Sequence, residues 1–189
     1  MRNPPRIFRK YSDSNPAYRV RPGLRFCFSS PAHAIALFFG AGVMRPGPGT
    51  WGSLAAALSF FCFEGLLSGA GLLLPGAAAF FCGVWAAGRT GEDLGVQDAG
   101  AIVIDEVAAV WLLLAVLPAG IFWTLAGFLA FRVFDIVKLP PASGIDRRMH
   151  SGLGVMLDDV FAALWALAAL QALSWLGWGE FCLRWTASG

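Results

Sequence analysis

Apolar residues run through this chain in long blocks separated by short polar stretches, without the regular charged face of a surface helix. The blocks cover residues 54–74, 76–88, 101–118, 121–137 and 157–176, and each is expected to be an α-helix that crosses a bilayer. The first two are short for two crossings and rich in glycine, and Pro75 is expected to close the first of them. Ahead of them, PAHAIALFFGAG (31–42) is apolar but too short to span, which suits an interfacial or re-entrant helix. VMRPGPGTWGS (43–53) follows, where Pro46, Gly47, Pro48 and Gly49 predict a tight loop and Thr50 or Ser53 is placed to cap the next helix. The expected fold is all-α, an integral membrane helical bundle of about four or five spanning helices plus one short interfacial or re-entrant helix.

Composition strengthens this picture. Hydrophobic residues fill 57% of the 189 positions, charged residues only 14%, and mean hydropathy is +0.64. Soluble proteins carry about 25% charged residues, so the apolar surplus needs an apolar solvent to face. The four cysteines, Cys27, Cys62, Cys82 and Cys182, have no CxxC spacing and are expected to be small buried hydrophobes, not a zinc site or a disulfide frame.

Charge divides the chain. Residues 1–30 hold seven of the 14 basic residues (Arg2, Arg6, Arg9, Lys10, Arg19, Arg21, Arg25) against the single acid Asp13. This suits a disordered cytoplasmic tail beside anionic headgroups, with no nucleic-acid partner expected and no cleavable signal peptide. A membrane domain over 31–178 and a C-terminal tail over 179–189 complete the expected organisation. If each block crosses once from a cytoplasmic tail, the loop at 43–53 and the segments 89–106 and 132–159 all emerge on one side. Arg45, Arg89, Lys138, Arg147 and Arg148 lie there too, as the positive-inside rule requires, while the turns near Pro75 and Pro118 are almost uncharged.

That side gathers Asp105, Glu106, Asp135, Asp158 and Asp159 from three helices. Acids in the first turn of a helix can simply complement its dipole. Five at one poorly hydrated face are costly unless a cation binds, and hard carboxylate oxygens suit Mg²⁺. Arg132, Asp135 and Lys138, at i, i+3 and i+6, form either a salt-bridge ladder or a site in which a cation holds phosphate and Asp135 holds metal. A Mg²⁺ carboxylate site at headgroup level suits phosphoryl chemistry on a lipid. The alternative is a small membrane cation transporter or channel using the same carboxylates, which needs charge near mid-span, where Glu64 is the one candidate. His33 is expected to be a packed or headgroup-level histidine, and His150 would have to carry any phosphohistidine chemistry alone.

Four stretches, PGTWGSLAA (48–56), DAGAIVIDE (98–106), FRVFDIVK (131–138) and DRRMHSGLGVMLDD (146–159), together resemble the bacterial phosphatidylglycerophosphatase A family. The resemblance covers about residues 31–176 and implies a Mg²⁺-dependent phosphatase of phosphatidylglycerophosphate in the bacterial inner membrane, with its site facing the cytoplasm. It implies that Asp105, Glu106, Asp135, Asp158 and Asp159 are metal-site and catalytic acids, and that Thr50, Arg132, Lys138 and Asp146 support them or contact phosphate. The chain departs from the family's pattern at Leu139 to Pro141, at Ser151 where the family has Gly, and at Ala162 and Ala163 where it has Ala-Gly. The signatures of CDP-alcohol phosphotransferases, aspartyl-phosphate phosphatases and histidine-using lipid phosphatases are absent.

Overall fold

A computed structural model describes residues 19–97, 99–140 and 151–178. Within them the chain is helical, with two short helices, α1 (Leu24–Cys27) and α2 (Pro31–Ala36), ahead of five longer ones. These are α3 (Pro48–Glu64), α4 (Leu73–Leu94), α5 (Ile104–Leu114), α6 (Ile121–Val137) and α7 (Gly152–Leu173). The tails at 1–18 and 179–189 lie outside the described residues, as does the 141–150 loop.

The order of the helices matches the sequence pattern, and their ends do not. Pro48 and Gly49 open α3, because a proline at the first helical position loses no intrahelical bond and Gly47 before it adopts φ +70°. Thr50 and Ser53 therefore stand inside the helix, and neither caps it. At its other end α3 stops at Glu64, so residues 54–74 are not one span. Pro75 sits in the first turn of α4, where it is tolerated, and does not close a preceding span. Helix α4 then runs through Arg89 to Leu94, extending the 76–88 block by more than a turn. Its end is marked by Gly95 at φ +70°.

Helix α5 is the centre of the bundle. Val107, Ala108, Ala109 and Val110 are fully buried, and α5 packs on α3, α4, α6 and α7. The Trp111 indole ties it to α3 by donating to Ala56 O (2.9 Å) and Ser59 Oγ (3.2 Å). Its 11 residues rise only about 17 Å, against about 30 Å of hydrocarbon, so α5 does not span a bilayer by itself. Among the described residues two segments are long and apolar enough to do so, Gly69–Leu94 and Gly152–Leu176. Only 28% of the most apolar stretch of the first is buried inside the protein, so one face packs on its neighbours and most of that stretch is partly or fully exposed. Exposed Leu58, Phe81, Trp85, Leu125, Leu129, Leu164 and Trp165 continue that apolar exterior over four of the long helices.

Small residues bring the helices close. A β-carbon built on Gly152 would stand 2.2 Å from the Val84 carbonyl oxygen, so the start of α7 lies directly on the α4 backbone. Ser151 caps α7 by accepting from the Gly154 N–H (3.4 Å). Within residues 24–30, assigned by charge to the tail, Phe26 and Cys27 pack against the fold while Leu24, Arg25, Phe28 and Ser29 are exposed. Cys27 is buried and the Phe26 ring stacks on His33 at 4.0 Å. The 31–42 segment is α2 followed by a tight turn over Phe38–Val43, kinked where Phe38, Phe39 and Gly40 take positive φ. Of the remaining cysteines, Cys62 and Cys82 are exposed on the helical exterior, correcting the expectation of burial, while Cys182 lies outside the described residues.

Candidate active site at one end of the bundle

The long helices alternate in direction, so the start of α3, the end of α4, the start of α5, the end of α6 and the start of α7 share one end of the bundle. The side chains confirm the convergence. Asp105, Glu106, Asp135, Asp158 and Asp159 are all between 2% and 9% exposed, and Arg132 is 9% exposed. Asp105 and Glu106 occupy the first turn of α5, where the helix dipole favours them. Asp158 and Asp159 do not share that explanation. Helix α7 begins at Gly152, which puts both acids well past its first turn, so completing a helix dipole does not account for them.

Arg132 links three helices. Its Nη1 donates to Glu106 Oε1 on α5 (3.1 Å) and to Ser53 Oγ on α3 (3.3 Å), while Nη2 donates to Thr50 Oγ1 (3.4 Å). The same Nη1 stands 2.9 Å from Asp135 Oδ2 one turn along α6, an ion pair without hydrogen-bond alignment. Ser53 is fully buried and passes its own proton back to Gly49 O (2.8 Å), which leaves its oxygen free to accept from the guanidinium. A planar fork with several acceptors is a task that suits arginine and not lysine.

The second cation binds elsewhere. Lys138, the residue that ends α6 with a left-handed backbone (φ +48°), pairs its Nζ with Asp158 Oδ2 on α7. The expected ladder along α6 is thus half present. Arg132 meets Asp135 within the helix, whereas Lys138 reaches across to α7. Both cations reserved for phosphate already hold carboxylates.

Asp146, with Arg147, Arg148 and His150, lies outside the described residues. Thr50 is exposed at the edge of the cluster, and Glu64 lies at the last turn of α3, at the far end of the bundle and not at mid-span. A chain of carboxylates leading through the helices is therefore not seen among the described residues. His33 belongs to a separate polar group. It is buried, with Nε2 2.9 Å from Asp93 Oδ2 and Nδ1 3.2 Å from Phe26 O, and Arg89 Nε reaches the same Asp93 oxygen (3.3 Å). This group pins α2 to α4, and Ala36 O at the end of α2 accepts from Val103 N (2.9 Å), just ahead of the α5 acids.

Sequence reasoning passed over Ser53 as a site member and over the packing role of Gly49 and Gly52. The signal was two glycines three residues apart at the start of a helix, one face of which had to meet another helix. A β-carbon at Gly49 would stand 1.9 Å from Glu106 Oε1, and one at Gly52 would stand 2.6 Å from Val103 Cβ.

Among the described residues, no three His, Cys, Asp or Glu side chains converge closely enough to cage an ion alone. Mg²⁺ does not need such a cage, since it keeps several waters and takes one or two carboxylates together with substrate phosphate. Asp135 Oδ1 is buried without a hydrogen-bond partner among the described residues, so a hard oxygen stands there that none of them satisfies. The residues fit that ion.

The family profile described as Phosphatidylglycerophosphatase A matches residues 34–174, which takes in α3 to α7 and every described member of the acid cluster. A Haemophilus influenzae protein named Phosphatidylglycerophosphatase A is 39% identical over 147 residues, covering 77% of this chain and 90% of that one. Its Escherichia coli namesake is 38% identical over 141 residues, covering 74% and 81%. A Bacteroides thetaiotaomicron protein with the provisional name phosphatidylinositol-3-phosphatase is 34% identical over 149 residues, covering 75% and 92%. No solved structure matches the chain.

Proposed function

The chain belongs to the phosphatidylglycerophosphatase A family, and from that premise we propose that it hydrolyses the terminal phosphomonoester of phosphatidylglycerophosphate. The products are phosphatidylglycerol and inorganic phosphate, and the reaction takes place at the cytoplasmic face of a bacterial inner membrane that the bundle crosses several times. The observation that supports this best is the gathering of buried carboxylates, one arginine and one lysine at a single end of an otherwise apolar bundle. A lipid phosphate held at headgroup depth reaches such an end while its acyl chains stay in the bilayer.

The chemistry follows from charge. A water oxygen forms a bond to phosphorus as the bond from phosphorus to the glycerol oxygen breaks, one water proton passes to a carboxylate, and the departing alkoxide takes up a proton to become the alcohol. Asp135, with Asp158 or Asp159, would hold Mg²⁺, which would supply neutralisation of phosphate charge and polarisation of the phosphorus–oxygen bonds. Arg132 holds Glu106 and Asp135 in place, so that neither must reorganise as charge develops. Lys138 stands where it can exchange its Asp158 partner for a phosphate oxygen, and that exchange frees Asp158 as substrate arrives.

Phosphate release by the purified protein in detergent tests the proposal, with phosphatidylglycerophosphate, phosphatidic acid and phosphatidylinositol-3-phosphate as separate substrates, each with Mg²⁺ or EDTA. Mg²⁺-dependent release that is fastest from phosphatidylglycerophosphate is expected. Preference for another lipid phosphate would refute the substrate, and full activity in EDTA would refute the metal.

A further inference from the structure

The two glycines that open α3 look equivalent in the sequence and are not equivalent in the fold. A β-carbon on Gly52 would meet Val103 Cβ at 2.6 Å, well inside its contacts with Val103 Cγ2 and Glu106 Oε2 at 3.1 Å, so Val103 is what bars it. Val103 cannot yield, because its N–H is bonded to Ala36 O and it leads directly into α5. At Gly49 the obstruction is of another kind. The contacts there are Glu106 Oε1 at 1.9 Å, Cδ at 2.7 Å and Oε2 at 2.9 Å, all at the end of one rotatable side chain. Nothing in the backbone demands glycine at 49, since it lies within α3 and is not among the glycines with positive φ. Helix propensity would favour alanine there. What glycine provides is space, at the positive end of α3, into which a carboxylate fits and from which Glu106 Oε1 reaches Arg132 Nη1 at 3.1 Å.

We propose that Gly49 is a positioning residue, whose missing side chain forms the socket that holds the Glu106 carboxylate against Arg132. A methyl group at 49 fills the socket and turns the carboxylate away while the helices stay where they are. The catalytic consequence rests on the phosphatase reading above; the structural consequence rests on packing alone.

Both consequences are measured on the full chain in detergent, with Gly49→Ala, Glu106→Ala and the double variant compared by thermal unfolding and by phosphate release. Gly49→Ala is expected to lower kcat by about 100-fold, the effect of a misplacement of about 1 Å, with KM little changed. It is expected to lower the melting temperature in the wild-type background and to leave it unchanged or raise it once Glu106 is alanine, because the methyl then has room. Gly52→Ala lowers it in both backgrounds. An equal loss of melting temperature from Gly49→Ala with and without Glu106, or an unchanged kcat in the single variant, would overturn the socket. If Gly49→Ala alone does not fold but the double variant does, the socket is supported. Should the wild type release no phosphate, the proposed function fails, and the melting comparison still decides the socket.

Discussion

Replacing Arg132 by methionine, which keeps much of the side-chain bulk and removes the charge, is the sharpest perturbation of the cluster. The Arg132 side chain is 11% exposed and its guanidinium faces the Glu106 side chain, also 11% exposed, and the Asp135 side chain at 1%. Removing it leaves two buried carboxylates without their shared counter-ion and the buried Ser53 hydroxyl without its donor. Removing one partner of a buried ion pair costs about 3–5 kcal/mol, because the charge left behind is stranded in a low dielectric. For a chain of this length each kcal/mol lowers the melting temperature by about 2–4 °C, which gives a fall of roughly 6–20 °C. Tryptophan emission and near-UV circular dichroism followed against temperature in detergent would record it. Arg132→Lys keeps the charge and loses the fork, so it should recover part of the stability and little of the activity. A melting temperature for Arg132→Met within about 2 °C of the wild type would refute the argument. It would mean that Glu106 and Asp135 do not depend on Arg132.

Three further outcomes follow from other contacts. Lys138→Met should raise KM more than it lowers kcat in phosphate-release kinetics if its ammonium group, paired with Asp158, exchanges that partner for substrate phosphate as proposed. Gly152→Ala should lower the melting temperature by more than Gly52→Ala does, because its β-carbon meets the backbone oxygen of Val84 and not a side chain. Cys27 should resist a maleimide in the folded protein, because burial pushes its thiol up and keeps the reactive thiolate scarce, whereas Cys82 should react with a lipid-soluble reagent in membranes and not with a charged one.

Much of the architecture was legible because long apolar blocks have few alternatives to helices, and short turns between them force neighbours to run antiparallel. From that alternation alone, the polar ends at 43–53, 89–106 and 132–159 had to share a face, and the contacts of Arg132 with Thr50, Ser53 and Glu106 show that they do. Boundaries were harder. Pro75 ends one apolar block and opens a helix with equal propriety, and sequence alone did not distinguish the two. The same difficulty hid the true start of α7, which made Asp158 and Asp159 look like first-turn acids. Pairing was harder still. Arg132 and Lys138 lie six residues apart, yet one bonds to α3 and α5 and the other to α7, choices made by the packing of α6 and not by its own sequence. Gly49 and Gly52 showed their meaning only when the residues facing them were known.

The most direct test of the central claim follows phosphatidylglycerophosphate by ³¹P NMR as wild-type protein and the Asp135→Asn variant act on it in detergent with Mg²⁺. The wild type is predicted to convert the monoester signal into inorganic phosphate while the diester signal of phosphatidylglycerol remains. Asp135→Asn, with its melting profile intact or raised, is predicted to leave the monoester untouched. Conversion by the folded variant at the wild-type rate would contradict the account, because the buried carboxylate at the centre of the cluster would then have no part in the reaction.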